Sequence, residues 1–217
     1  MNAKKIYLED NNITEVPSNA FIKSDLEDLW LESPFTKIGN NAFSLLNNLS
    51  QLRIGLSHIK FFPENAFEFY ESSNKSLLLQ FFRNTFINSS SFSENLFTKL
   101  KRPTKIQFTS IRDHRNFSYL DQKAFLPFLR INNENNIDNG EYLNCSDCRN
   151  HWVKTCTDLI KRVIVTDYPA KCKWFIECPN QTVSNQDQFK NNSSELFERK
   201  NYFINCLIIT FWYFNYN

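Results

Sequence analysis

The residues with the most obvious chemistry lie late in the chain. Cys145 and Cys148 stand three positions apart, Trp152 follows, and Cys156, Cys172 and Cys178 come next. Two chemistries suit such a set. Cys145 and Cys148, joined by His151, Cys156 or Cys172, could hold a tetrahedral zinc ion. In an oxidising compartment the same thiols could form disulfides instead. The zinc reading lacks a second close Cys-x-x-Cys pair. Other reactive groups are sparse. The sequence contains no G-x-S-x-G, no phosphate-binding glycine loop and no H-E-x-x-H. His58, His114 and His151 have no Ser or Cys at a recognisable motif spacing. Glu27 and Asp28 are adjacent on an expected strand, so they point to opposite sides and make a poor acid–base pair. The chain is therefore expected to be no enzyme, with no catalytic residue, no resident metal, no cofactor and no small-molecule substrate.

The elements that carry these residues repeat. Ala-Phe returns as Ala20-Phe21, Ala42-Phe43, Ala66-Phe67 and Ala124-Phe125, with Leu96-Phe97 as a variant. The five phenylalanines are 22, 24, 30 and 28 residues apart, a period that signals stacked repeats. Each is preceded by short alternating apolar runs. They are Ile6-x-Leu8, Leu29-x-Leu31, Leu52-x-Ile54, Leu79-x-Phe81 and Ile106-x-Phe108. Asn11 and Asn84 follow two of these runs, Ser57 a third, and Pro34 stands where an Asn is expected. The whole is the leucine-rich-repeat pattern L-x-x-L-x-L-x-x-N-x-L. It predicts an α/β-type solenoid with one short parallel strand per repeat and the phenylalanines in a buried column. Glu68–Lys75 and Arg112–Arg115 read as inserted loops. A sixth strand is expected at Leu129-x-Ile131, with 132–139 as a surface loop. Five to six repeats would fill 1–131.

The pattern also names an exposed surface. Alternation sends every second strand residue away from the core. Tyr7, Trp30, Arg53, Gln80 and Gln107 then form a central concave column, flanked by Glu9, Glu32, Gly55, Phe82 and Thr109. Glu9, Asp10, Glu27, Asp28 and Glu32 make one end acidic, and Arg53, Arg83 and Lys105 make the other basic. Tyr, Trp and Arg dominate interface hot spots. Tyr7, Glu9, Trp30, Glu32, Arg53, Phe82 and Arg83 are accordingly expected to bind another protein.

Position favours the disulfide reading of the cysteines. The last repeat of an array needs a cover for its apolar end, and 132–180 lies where that cover belongs. The pattern through residues 5–178 resembles secreted or cell-surface leucine-rich-repeat proteins with a cysteine-rich C-terminal flank. Cys145-x-x-Cys148-x-x-x-Trp152 is most similar to the arthropod branch, which includes the non-catalytic subunit of oplophorus-luciferin 2-monooxygenase. That resemblance implies a binding role without catalytic residues, such as stabilising a secreted oxidoreductase as its accessory subunit. It also implies that Cys145 and Cys148 each pair with a later cysteine among Cys156, Cys172 and Cys178. Cys206 lies in a different kind of segment. The competing reading is an intracellular adaptor with a zinc-stabilised end.

Composition agrees with a protein partner. Lys and Arg number 25 against 23 Asp and Glu, with no basic block, so no nucleic-acid partner is expected. Asn12, Asn48, Asn74, Asn88, Asn116 and Asn180 are the candidate glycosylation acceptors. Asn144 also stands in a sequon, beside Cys145. These sequons and the cysteines point to an extracellular or cell-surface location. Met1–Lys5 shows no signal peptide, and a truncated chain is the expected reason. Residues 181–217 read as an Asn/Gln-rich linker and an apolar tail. Its run Tyr202–Phe214 is shorter than the about 20 residues that a spanning helix needs, so no membrane attachment is expected.

Overall fold

The computed structural model describes residues 3–21, 25–69, 75–109, 118–139, 143–144, 147–155 and 159–164. The chain divides into units of residues 1–176 and 177–217, and all the described residues lie in the first. They form nine strands: β1 (Lys5–Glu9), β2 (Glu15–Val16), β3 (Asp28–Glu32), β4 (Lys37–Ile38), β5 (Gln51–Gly55), β6 (Leu77–Phe82), β7 (Thr104–Thr109), β8 (Asn136–Asp138) and β9 (Val163–Ile164). Seven pair in one parallel sheet in the order β1-β3-β5-β6-β7-β8-β9. A small parallel ladder joins β2 to β4, and Phe62 and Phe92 bridge in the same sense. The chain is a solenoid of parallel strands, as the period required.

Strict alternation builds the sheet. In β6 and β7 every second residue is fully buried and the next one is half-exposed. The register aligns Leu8, Leu31, Ile54, Phe81 and Phe108 across five strands. Behind them the expected phenylalanine column stands. Phe21, Phe43, Phe67, Phe97 and Phe125 follow one another at centroid distances of 5.9, 6.1, 5.9 and 5.4 Å. Four of the five are fully buried, and Phe21, at the β1 end, is half-buried. Phe62, Phe81, Phe92 and Phe108 fill the space between column and sheet with edge and stacked contacts of 5.2–5.8 Å.

Among the described residues the return segments before β7 run through turns rather than α-helices. Two expectations need correction. Among the described residues the helices are α1 (Gln122–Ile131), α2 (His151–Thr155) and short 3-10 turns. Leu129 and Ile131 belong to α1, not to a sixth strand. Asp121 caps α1 by accepting from the Lys123 N–H, and Ala124, Phe125, Phe128 and Leu129 recur at helical spacing on its buried face. The sixth strand of the sheet is instead β8, inside the Asn-rich stretch expected to be a loop. Asn135 makes that possible: wholly buried, it accepts from the Thr104 N–H (2.8 Å) and donates to the Phe128 carbonyl (2.8 Å). The sheet thus continues past residue 131. Of the two inserted loops, 70–74 and 110–117 lie outside the described residues.

Polar brackets close the turns after the strands. Asn84 is fully buried, donates to the Ile54 carbonyl (3.0 Å) and accepts from the Ser57 N–H (3.1 Å) and hydroxyl (2.5 Å). The Asn11 side-chain amide donates to the Glu9 carbonyl of its own repeat (2.9 Å). In the second repeat the task of the missing Asn passes to Ser33. It is buried, donates to the Leu8 carbonyl and accepts from the Asn11 N–H, both at 3.3 Å. Asp10, Leu56 and Arg83 leave the strands with φ of 50–53°, a left-handed turn that costs about 1 kcal/mol in a non-glycine residue. Each is held there by one more ladder bond, to Glu32, Phe82 and Thr109 respectively.

Arg102, on the entry side of β7, is almost wholly buried. Its guanidinium donates to the carbonyls of Lys75 (2.9 Å), Asn47 (3.3 Å), Ser76 (3.4 Å) and Leu49. Burial pushes its pKa down to about 10. Arg162 repeats the arrangement before β9, donating to Asn135, Leu129 and Asn132.

Candidate functional site on the exposed face of the sheet

The exposed face of the sheet carries the expected columns in the expected register. Tyr7 lies beside Trp30, Trp30 beside Arg53, Arg53 beside Gln80 and Gln80 beside Gln107. Glu9, Glu32, Gly55, Phe82 and Thr109 form the next column. Neighbouring parallel strands bring equivalent side chains within contact distance.

Contact between the columns gives the face its character. Tyr7 meets the Trp30 ring edge-on at 4.7 Å. The Arg53 guanidinium lies 4.7 Å from the Trp30 centroid on one side and 3.8 Å from the Phe82 centroid on the other. Arg83 covers Phe82 at 4.9 Å. Tyr7, Trp30, Arg53, Phe82 and Arg83 thus make one continuous row of rings and guanidinium groups. Gly55 lets the row close: a Cβ there would lie 3.0 Å from Glu32 Cγ and 3.1 Å from the Phe82 carbonyl oxygen. Cation–π contacts of this kind are worth about 0.5–2 kcal/mol each, more where desolvated.

Electrostatics tighten the centre. Arg53 Nε lies 2.5 Å from Glu32 Oε1, a close ion pair rather than an aligned hydrogen bond. Burial raises the Glu32 carboxyl above the usual range, and Arg53 pulls it partly back. The expected division into an acidic and a basic end is weaker than the sequence implies. Lys4 and Lys75 reach Glu27 at 3.2 and 3.7 Å, Lys5 reaches Asp28 at 2.7 Å, and Lys105 reaches Asp138 at 3.0 Å. Only Glu9 and Asp10, of the acids expected at that end, hold no ion pair among the described residues. Beyond the aromatic row, Gln80 donates to Gln107 (3.0 Å) and Gln107 to Asp138 (3.1 Å), a self-satisfied amide ladder. The exposed members of the row are Tyr7, 48% exposed at the β1 end, and Arg83; Trp30, Arg53 and Phe82 are half-buried.

The remaining sequence candidates scatter. His58 is exposed and packs edge-on against Phe86 at 5.3 Å, His151 is exposed at the start of α2, and His114 lies outside the described residues. Asn12 is exposed after β1, the Asn48 amide donates to Asp25 (3.1 Å), and Asn88 caps the turn Ser89–Ser91. Asn74, Asn116 and Asn180 lie outside the described residues, as do Cys145, Cys156, Cys172, Cys178 and Cys206. Among the described residues no group of His, Cys, Asp and Glu could hold a metal ion. Around Cys148, Trp152 is buried and its indole donates to the Leu120 carbonyl (3.0 Å), while Asn150 bonds the Ser118 and Asn144 carbonyls and accepts from the Leu120 N–H. Asp147 is held below the usual carboxylate range by its hydrogen bond from Arg149, which also covers the Tyr119 ring at 3.7 Å. Sequence reading did not single out Asn150, Ser33 or Arg102, since each resembles an ordinary polar loop residue until the turns are stacked.

No family model, curated protein or solved structure matches this chain.

Proposed function

We propose that the chain is a leucine-rich-repeat-type solenoid with a disulfide-stabilised C-terminal cap, and that it serves a secreted or cell-surface protein as a non-catalytic module binding another protein. The observation that carries this reading is the row Tyr7–Trp30–Arg53–Phe82. Three bulky π systems and a guanidinium share the concave face, and such residues supply most interface energy when a partner covers them. The repeat type is supported by strand, polar bracket and phenylalanine recurring in phase. The cap is supported by the disulfide state of Cys148 and by the Trp152 anchor on the last turn. Free thiols with bound zinc would instead favour the intracellular adaptor.

The test is a titration of a partner captured from native secretions against wild type, Trp30→Ala and the control Lys60→Ala. Trp30→Ala is expected to weaken binding by about 2 kcal/mol or more, the hot-spot range, and Lys60→Ala to leave it unchanged. Equal affinities for all three would move the site off the concave face.

A further inference from the structure

β1 is the outer strand of the seven-stranded sheet. Its inward residues Ile6 and Leu8 are half-exposed, whereas their neighbours Leu29 and Leu31 are fully buried. Ile13 and Phe21 at the same end are half-exposed as well. Among the described residues this end is apolar and no strand pairs with the outer edge of β1, whose Glu9 carbonyl accepts from the Asn11 side-chain amide (2.9 Å). The Lys4 carbonyl accepts from the Asp28 N–H and the Asp10 N–H donates to the Glu32 carbonyl, so even-numbered residues turn their backbone toward β3. By alternation, Lys5, Tyr7 and Glu9 aim their N–H and C=O groups outward. Unpaired strands of this kind accept another strand.

The geometry points to a two-fold homodimer in which β1 pairs antiparallel with β1 of a second copy, centred on Tyr7. In that register Lys5 of each copy lies opposite Glu9 of the other, and Tyr7 lies opposite Tyr7. All three are residues whose backbone groups face outward, so each pair can exchange two hydrogen bonds, the Glu9 carbonyl using the lone pair that the Asn11 amide leaves. Sliding the copies by two residues keeps the backbone matched but leaves Glu9 or Lys5 without its opposite charge. Glu9 holds no ion pair among the described residues, and Lys5, which reaches Asp28, has further ammonium donors to offer. Ile6 of each copy falls opposite Leu8 of the other on the core side, covering the two apolar ends against each other. A two-fold normal to the sheet keeps both concave faces on one side, so the two aromatic rows join at Tyr7.

The test is sedimentation of the full chain and of charge-reversed variants. Wild type is expected to dimerise at micromolar concentration. Glu9→Lys sets two lysines opposite each other and Lys5→Glu two carboxylates, so each alone should raise the dimer Kd about tenfold, while an equimolar mixture restores opposite charges and should return it to within about threefold. Glu9→Gln, which removes charge without adding repulsion, should weaken the dimer about threefold and keeps the test readable if a reversal disturbs the fold. A monomeric wild type at about 100 μM, where only a very weak pairing would stay unmade, overturns the proposal. So does a dimer indifferent to every variant. A monomer whose Tyr7 amide resists hydrogen exchange would give the edge to another stretch of this chain, and overturns it too.

Discussion

Arg102 places a full charge among carbonyl oxygens, with no carboxylate bonded to it among the described residues. It is the side chain whose loss should be felt most. Arg102→Met would take this donor from the buried Leu49 carbonyl and from the part-buried carbonyls of Lys75, Asn47 and Ser76, and with about 1–3 kcal/mol for a buried acceptor left unmatched, a loss of about 3 kcal/mol is expected in urea unfolding. The exposed neighbour Lys101→Met should stay within about 0.5 kcal/mol of wild type. A compact ammonium cannot fan out to four oxygens as a planar guanidinium does, so Arg102→Lys should behave like Arg102→Met rather than rescue it. None of this was legible in the sequence, where Lys101-Arg102-Pro103 reads as a polar lead-in to a strand. Asn84 was legible, because its distance from Leu79 and Phe81 fixes it at the turn. Ser33 was not: Pro34 occupies the motif position, and the hydroxyl one residue earlier takes over only once β1 lies alongside.

At the level of the element, the phenylalanine column separates interior repeats from the end. Phe43 is stacked on both sides and fully buried; Phe21 is stacked on one side and half-buried. Phe43→Ala should therefore cost about 3–5 kcal/mol, and Phe21→Ala less than half of that, as read from chemical unfolding. Equal losses would mean that the β1 end is as well packed as the middle. The column and the five sheet strands β1, β3, β5, β6 and β7 could be read in the sequence because their periods, two within a strand and 22–30 between repeats, are independent signals that agree. α1 and β8 could not. Leu129-x-Ile131 fits alternation as well as the end of a helix, and only the Asp121 cap decides between them. β8 offers Ile137 as its single apolar residue, and its place in the sheet is secured by Asn135, a side chain that composition assigns to a loop.

For the molecule as a whole, the exposed face of the sheet was legible to the residue, since strand alternation and register leave no freedom once the repeats are aligned. Its electrostatics were not. Lys4, Lys5 and Lys75 are distant from Glu27 and Asp28 in sequence, and only stacking shows that they neutralise the end that looked acidic. Stacking also decides how the array comes apart. In a repeat protein each turn ordinarily holds only its neighbours, and stability is a sum of adjacent couplings. Arg102 breaks that rule, reaching carbonyls 53 and 55 positions earlier as well as those of the adjacent turn. Backbone amides of β5, β6 and β7 should thus exchange through one common opening, and Arg102→Met should split them into separate rates. A chain pulled from its ends would then not peel repeat by repeat. Its middle would hold as a single block until one side chain let go, so that resistance to tension is concentrated in a rivet rather than spread along the coil.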